Sequence, residues 1–220
     1  MEEMEAVAKM GAFWNIPVIS YMATSNAMND KNIYKTLARA SSKSPTALAQ
    51  ATSALLLHYK WLKVAVVTNT GTVAFDRVVA FEEVFKRTNI KIVKKVMFEE
   101  NSSAQDIINS GLLSDIESNA RIIVCVFSAT RDNTKEFMQA TYTYGMHTSE
   151  YAYVLPWIQS GPKDILPWLG ADGTLLQKVK EYYTNSIIVD DVAGFDDAVV
   201  TNFYAKVEER GLSREQLDAV

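Results

Sequence analysis

The stretch Lys63-Val64-Ala65-Val66-Val67-Thr68 is a short apolar run rich in β-branched residues, and it decides the fold. A continuous run of this kind predicts a strand buried on both faces, as in a parallel sheet. Asn69-Thr70-Gly71-Thr72 follows as a turn, and a segment of helical length continues to residue 85. We expect this helix to bury one apolar face, made of Phe75, Val78, Val79, Phe81 and Phe85.

The same strand–turn–helix unit recurs along the chain, which predicts a three-layer α/β fold with a parallel sheet and helices on both faces. We expect further strands at residues 90–98, 121–127, 151–155 and 186–190. The predicted helices cover residues 45–60, 103–118, 131–144, 175–183 and 195–210. Upstream, residues 3–13 read as a helix, and residues 16–21 and 34–40 as short strands.

Composition limits the classes of function. Of the 220 residues, 48 % are hydrophobic and 22 % charged, which is ordinary for a globular protein. The net charge of −4 offers no basic field for nucleic acid. No apolar run approaches the ~20 residues of a membrane span. Cys125 is the only cysteine, which excludes a disulfide within the chain, and its apolar neighbours predict a buried core residue.

The motifs of common enzymes are missing from the sequence. It has no Gly-x-Gly-x-x-Gly, no Gly-Lys-Ser/Thr and no Gly-x-Ser-x-Gly segment, so we predict no nucleotide site, no nucleophile elbow and no cofactor. His58 and His147 stand beside no metal-like cluster and are expected to be structural or exposed. The acid pairs at 190–191 and 196–197 read as strand-end and helix-start charges rather than an acid/base pair.

The strongest candidate site lies where the predicted strands end. The carboxyl ends of parallel strands meet at one rim of the sheet, which is where such sheets bind ligands. Hydroxyls, a free amide and an aromatic ring at this rim suit a small polar ligand. Ordinary turn chemistry is the competing interpretation. The candidate ligand-binding residues are Thr68, Asn69, Thr70, Ser128, Thr130, Pro156 and Trp157.

Asn101-Ser102-Ser103 is an Asn-x-Ser acceptor for N-glycosylation on a predicted loop. The triplet favours an extracellular origin, and Asn101 is the predicted glycosylation site. Ser103 and Asp106 also form the pattern of a capping box, which predicts the start of a helix at this point.

Five segments, taken in order, resemble the ligand-binding ectodomain of receptor guanylate cyclases, especially the chemosensory branch of nematodes. This family has the natriuretic-receptor-like form of the type I periplasmic-binding fold. The resemblance extends over nearly the whole chain and rests on the ordered set of segments. These are residues 12–21 (Ala-Phe-Trp-Asn-Ile-Pro-Val-Ile-Ser-Tyr), 34–39, 56–67, 140–146 and 150–154.

The resemblance implies a non-catalytic sensing domain with two lobes, which binds a small molecule or peptide and forms a homodimer. One lobe is expected to be nearly whole and the other partial: residues 1–44 belong to the first lobe, residues 45–192 form the second, and residues 193–220 return toward the first or pack on the second. The domain would lie on the extracellular face of the plasma membrane as a fragment of a longer receptor, with membrane and cyclase segments elsewhere.

Two alternatives from other classes stay open at this point. One is a soluble α/β binding protein or enzyme that uses the same rim of the sheet. The other is a lobe with a purely structural role, whose surface only dimerises.

Overall fold

A computed structural model describes residues 2–20, 26–40, 44–128, 130–156, 166–169, 174–189 and 197–211. Its contacts group the chain into two units, residues 1–190 and residues 191–220. The second unit contains the helix Asp197–Glu208, which is the last described helix of the chain. The predicted lobe boundaries after residues 44 and 192 stay predictions.

The first unit begins with a small segment of one helix and two strands. Helix α1 covers Glu2–Trp14, strand β1 Val18–Ser20 and strand β2 Leu37–Arg39. The strands pair in parallel as a two-stranded sheet, and a 3-10 turn, Asn26–Asn29, lies between them in sequence. A small core of Ala8, Met28, Tyr34 and Leu37 holds the segment together.

The rest of the first unit alternates helices and strands. In chain order these are α2 Pro45–His58, β3 Lys63–Asn69, α3 Thr72–Arg87, β4 Lys91–Phe98, α4 Ala104–Asn109, α5 Leu112–Asn119, β5 Ile122–Val126, α6 Thr130–Tyr144, β6 Ala152–Pro156, α7 Gln177–Tyr182 and β7 Ser186–Val189. The helix of the second unit is α8. The five strands form one sheet in the order β4-β3-β5-β6-β7, and every neighbouring pair is parallel. The predicted three-layer α/β class with a parallel sheet is confirmed.

Strand β3, an interior strand of the sheet, has a packed layer on each face, as its continuous apolar run predicts. Val64 and Val66 belong to a core formed with α2 and α3, whereas Ala65 and Val67 belong to a core formed with α4 to α7. Successive side chains of a strand point to opposite faces, so a strand between two layers needs apolar residues at every position. Cys125 on β5 is buried in the second core, as predicted, and burial raises the pKa of its thiol.

Helix α3 departs from its predicted apolar face at one end. Val78, Phe81 and Phe85 are buried as expected, but Phe75 is 68 % exposed and Val79 is half-buried. Phe75 and Val79 lie four positions apart on one side of the helix, whereas Ala74, in the same turn as Phe75, is fully buried. The apolar pattern alone did not distinguish the face of the helix over the sheet from the side next to it.

Two further helices differ from their predictions. The segment expected as one helix over 103–118 is two helices, because Gly111 adopts a left-handed conformation with φ of 77° that interrupts the helix between α4 and α5. Helix α2 ends at His58 rather than at the predicted residue 60, and it buries Ala49, Thr52, Ser53 and Leu56. The hydroxyl of Thr52 donates to the carbonyl of Leu48, which lets a polar residue lie inside.

No helix in the described part of the chain is long and apolar enough to cross a membrane.

Candidate functional site

Asn69, the last residue of β3, organises the rim at the carboxyl ends of the strands. It is 1 % exposed, and its side chain spans to the end of β5. The Asn69 Oδ1 atom accepts from the backbone N–H of Ser128 at 2.8 Å, and Nδ2 donates to Ser128 Oγ at 2.7 Å. Nδ2 also donates to the carbonyl of Thr70 at 2.7 Å. Asn69 therefore joins two strand ends, and its amide is engaged within the protein.

Two glutamates that follow β4 complete this network. The Thr70 hydroxyl donates to Glu99 Oε2 at 3.0 Å and accepts from the backbone N–H of Glu100 at 3.1 Å. The Ser128 hydroxyl donates to Glu100 Oε1 at 2.5 Å. The ends of β4, β3 and β5 are thus held by one chain of hydrogen bonds, in which the hydroxyl protons point to carboxylates.

Arg77 binds the backbone that follows β5. Its guanidinium donates from Nη1 to the carbonyls of Phe127 and Ser128, the second at 3.0 Å. Partial burial lowers the pKa of Arg77 because desolvation disfavours the charged form. The pKa of a free guanidinium is so high that Arg77 keeps its charge at neutral pH. Its role at the rim is to fix the backbone that carries Ser128.

A cleft of about 440 Å³ opens beside this network, between the turn after β4 and the first turns of α6. The described residues that line it are Glu100, Asn101, Ser102, Ser103, Asp132, Asn133 and Glu136. Glu136 also holds the start of α4, since its Oε2 accepts from the backbone N–H of Ala104 at 2.8 Å. This hydrogen bond joins α6 to the start of α4 beside the cleft.

The predicted rim residues fall into three groups. Thr70 and Ser128 are half-buried at the network, whereas Thr68 and Pro156 are buried at their strand ends, where Pro156 pairs with Val189 of β7. Thr130 is the first residue of α6, but its side chain lies outside the described part, as does the whole of Trp157. The structure thus brings residues 68–70 together with Ser128, and their role in ligand binding stays a prediction.

Sequence reasoning missed the acidic part of the rim. Glu99 and Glu100 follow β4 directly, so the rule that selected residues after β3, β5 and β6 would have found them had it been applied to β4. Arg77 and Asn133 carried no such signal, because each lies inside a helical segment. Asn101, the predicted glycosylation site, is exposed in the turn after β4 and lines the cleft.

The described residues contain no group of three His, Cys, Asp or Glu side chains placed to hold a metal ion. The two histidines lie away from the rim: His58 ends α2 and packs edge-on against Tyr59, and His147 stacks on Tyr142. Of the predicted acid pairs, only Asp197 is described, at the start of α8. The remaining three aspartates lie outside the described residues.

Comparison with known proteins identifies the class. Residues 2–216 match the family described as the receptor family ligand binding region, so the chain belongs to that family. It is 53 % identical over 216 residues to two proteins of Caenorhabditis elegans, receptor-type guanylate cyclase gcy-8 and receptor-type guanylate cyclase gcy-23. A more distant relative, receptor-type guanylate cyclase gcy-20 of the same organism, is 23 % identical over 227 residues.

These matches take in 98 %, 98 % and 95 % of this chain, respectively, but only 19 %, 20 % and 20 % of the three relatives. The chain therefore spans about a fifth of the length of the curated relatives it matches. The resemblance to receptor guanylate cyclases inferred from the sequence is confirmed.

Proposed function

We propose that this chain is the ligand-sensing part of an extracellular domain in a receptor guanylate cyclase and is itself non-catalytic. The observation that carries the proposal is the family match over residues 2–216, together with 53 % identity to two receptor-type guanylate cyclases. In this proposal residues 1–44 belong to a first lobe, 45–192 form the second, and 193–220 return toward the first or pack on the second.

The ligand, a small molecule or a peptide, binds at the carboxyl-end rim in the cleft between lobes or at a dimer surface. The arrangement of the rim supports the first location. Thr70 and Ser128 are partly exposed there, and both are fixed by neighbours rather than free to rotate. Preorganised polar groups at a strand-end rim are what a selective binding site requires. Thr68, Asn69, Thr130, Pro156 and Trp157 complete the proposed ligand-binding set.

Signalling follows from a shift between two arrangements of lobes or protomers. A ligand shifts such an equilibrium only by its difference in affinity for the two states. We propose a homodimer, with glycosylation at Asn101 and with attachment to the membrane only through segments of the longer receptor. Sedimentation velocity of the secreted domain measures the dimer, and loss of a glycosidase-sensitive mass in Asn101→Gln measures the glycan.

The test of the site is a thermal-shift screen of metabolites and short peptides against the secreted ectodomain. A ligand at the rim raises the Tm of the wild type, and the shift is lost in Thr70→Val and in Ser128→Ala. Matched controls are Thr88→Val and Ser118→Ala, because these hydroxyls also bond within the chain, to Val84 and Ser114, but lie on other elements.

Equal loss of the shift in the control variants would place binding elsewhere. A complete screen without any stabilising compound would contradict the ligand-sensing role. Cyclic GMP formed by the full receptor on addition of a screened ligand then tests the coupling to the cyclase.

A further inference from the structure

We propose that the amino ends of strands β3 and β4 form a binding surface for a sulfated glycan chain. The surface lies at the end of the sheet opposite the rim, so it goes beyond the ligand-sensing function and concerns a second partner. Its charge comes from four exposed lysines, which we call the basic end. They are Lys60, Lys63, Lys86 and Lys91.

The first observation is a pair of lysines on neighbouring strands. Lys63 and Lys91 are register partners in the parallel pair of β3 and β4, and both are exposed. Side chains in register lie on the same face of a sheet, where like charges repel. Neither lysine has an ion pair with the described residues, whereas Lys94, further along β4, lies 2.8 Å from Asp115. An anionic partner would relieve the repulsion between Lys63 and Lys91.

Protection of a sheet edge does not account for both of these lysines. Edge strands commonly carry lysines that prevent pairing with another chain, and β4 is at the edge of the described sheet. This accounts for Lys91. Lys63, however, belongs to β3, which has a neighbouring strand on each side. The charge at its start therefore does not serve to protect an edge.

The positive charge of the basic end is local. The whole chain has a net charge of −4, but residues 57–63 and 86–91 contain four lysines and one arginine and no Asp or Glu. At physiological ionic strength charges are screened beyond about 8 Å, so the nearby charges decide what binds. Exposed lysines spread over two strand starts and the end of a helix suit a polymer with repeated anionic groups, of which heparin is an example.

An aromatic ring beside the lysines favours a sugar polymer. Tyr59 is 51 % exposed and stacks on Trp61, with ring centroids 5.0 Å apart and 26° between the ring planes. Trp61 in turn packs against the core under α2 and α3, so Tyr59 is held in place with about half of its surface open. A fixed aromatic ring suits the apolar face of a sugar ring. The choice of a glycan over a nucleic acid rests on the extracellular location proposed above.

The backbone of Lys60 is a further observation. Lys60 follows Tyr59, the C-cap of α2, and has a φ of 58°. This is the left-handed conformation in which helices most often have glycine, because a side chain there is strained. A lysine at a position that favours glycine is expected where its charge has a role.

The experiment is a titration of a fluorescent heparin oligosaccharide with the 220-residue chain, followed by fluorescence anisotropy. We expect binding that weakens as the salt concentration rises, because lysines that contact a polyanion displace its counterions. A neutral oligosaccharide of maltose units with the same length should not bind, since it has sugar rings but no charge.

Three variants and a control assign the contacts. Lys63→Gln and Lys91→Gln should each weaken heparin binding about fivefold, as for a lysine beside a polyanionic surface. Tyr59→Ala should also weaken heparin binding about fivefold, but should leave binding of inorganic polyphosphate unchanged because polyphosphate has no sugar ring. Lys178→Gln removes the same charge from an exposed position on α7 and should leave both affinities unchanged.

Lys60→Gly separates a role in binding from a role in folding. This variant should have a higher Tm than the wild type, because glycine relieves the left-handed strain, and yet bind heparin about fivefold more weakly. A higher Tm with an unchanged affinity would exclude Lys60 from the binding surface.

Several results would overturn the inference. These are no binding of heparin, an equal loss of affinity in Lys178→Gln, or an unchanged affinity when Lys63 and Lys91 are replaced together. Equal weakening of heparin and polyphosphate binding in Tyr59→Ala would show that the surface does not recognise sugar. Binding to phosphatidylserine vesicles but not to heparin would assign the basic end to a membrane surface instead. The thermal-shift screen of the rim is independent of these results, so the ligand-sensing function would stand.

Discussion

Two regions of the first unit bury their apolar residues to very different extents. The sheet module, residues 44–189, has helices on both faces of five parallel strands, and the cores on either side are continuous. The N-terminal segment, residues 2–40, has one helix over two strands. Parallel sheets are usually stable only when both faces are covered. The sheet module has both faces covered by helices, whereas the two-stranded sheet of the N-terminal segment has one helix.

The exposed apolar side chains reflect this difference. In the N-terminal segment Ile19 of β1 is 78 % exposed and Phe13 of α1 is 83 % exposed. A helix that is apolar on both its inner and outer sides is typical of a position between two layers. This exposure is what we expect if the segment belongs to a first lobe, as proposed above. In the N-terminal segment, the large apolar residues that are at least half exposed are Val7, Met10, Phe13, Trp14, Ile16 and Ile19.

The largest effect is expected in the core of the sheet module. Phe137 is fully buried and its ring packs against Phe98, Phe127 and Tyr153. Phe137→Ala should lower the free energy of unfolding by about 3–5 kcal/mol, through lost burial and a residual cavity. Phe75→Ala, the same change at an exposed site, should cost less than about 1 kcal/mol. Urea unfolding followed by circular dichroism measures both, and similar costs would contradict the layered core.

Amide hydrogen exchange tests whether the N-terminal segment is less stable than the sheet module. Amides of α1, β1 and β2 should exchange at least about a hundredfold faster than those of β3 and β5, because local opening of the N-terminal segment exposes little buried surface. Mass spectrometry of peptides from the two regions after deuterium labelling gives this ratio. Equal protection would show that the N-terminal segment is as stable as the sheet module.

A smaller effect is expected where α1 approaches β1. A Cβ atom at Gly11 would lie 2.5 Å from Val18 Cγ2 and 3.1 Å from the Ile16 carbonyl. Gly11→Ala should destabilise the N-terminal segment by about 1–3 kcal/mol through overpacking. The measurement is the exchange of residues 8–20. Val18→Ala in the same background should restore part of the protection, and no recovery would show that the side chain of Val18 is not the obstacle.

The smallest effect is a pH dependence at the start of α4. Ser103 donates to Asp106 Oδ2 through its hydroxyl at 2.6 Å and its backbone N–H at 3.0 Å. These bonds lower the pKa of Asp106, so their contribution to stability is present above the ordinary aspartate pKa of about 3.9 and lost as the pH falls through the lower folded value. Asp106→Asn should be slightly less stable than the wild type at pH 6, and this difference should shrink as the pH falls below about 3.9. A difference that is constant with pH would exclude the ionised carboxylate as its source.

Much of the fold followed from local patterns in the sequence. The run at residues 63–68 predicted a buried strand, and Ser103 with Asp106 predicted a capping box that the structure contains. The helix predicted over residues 45–60 begins at Pro45, with Ser44 as its N-cap. Each of these signals involves residues within a few positions of one another. The interruption at Gly111 and the exposure of Phe75 were missed, because they depend on backbone conformation and on which side of α3 the sheet covers.

The sequence by itself determined the alternation of strands and helices, the acidic net charge and the resemblance to receptor guanylate cyclases. It also determined which residues follow the strands and so lie at one rim of the sheet. Only the tertiary structure decided that Asn69 bonds to Ser128, 59 residues away, and that Glu100 and Asn133 border one cleft. The physical reason is the strand order β4-β3-β5-β6-β7, which places distant strand ends side by side. Periodicity specifies which face of each strand is buried, whereas the packing of the whole sheet specifies which strands are neighbours.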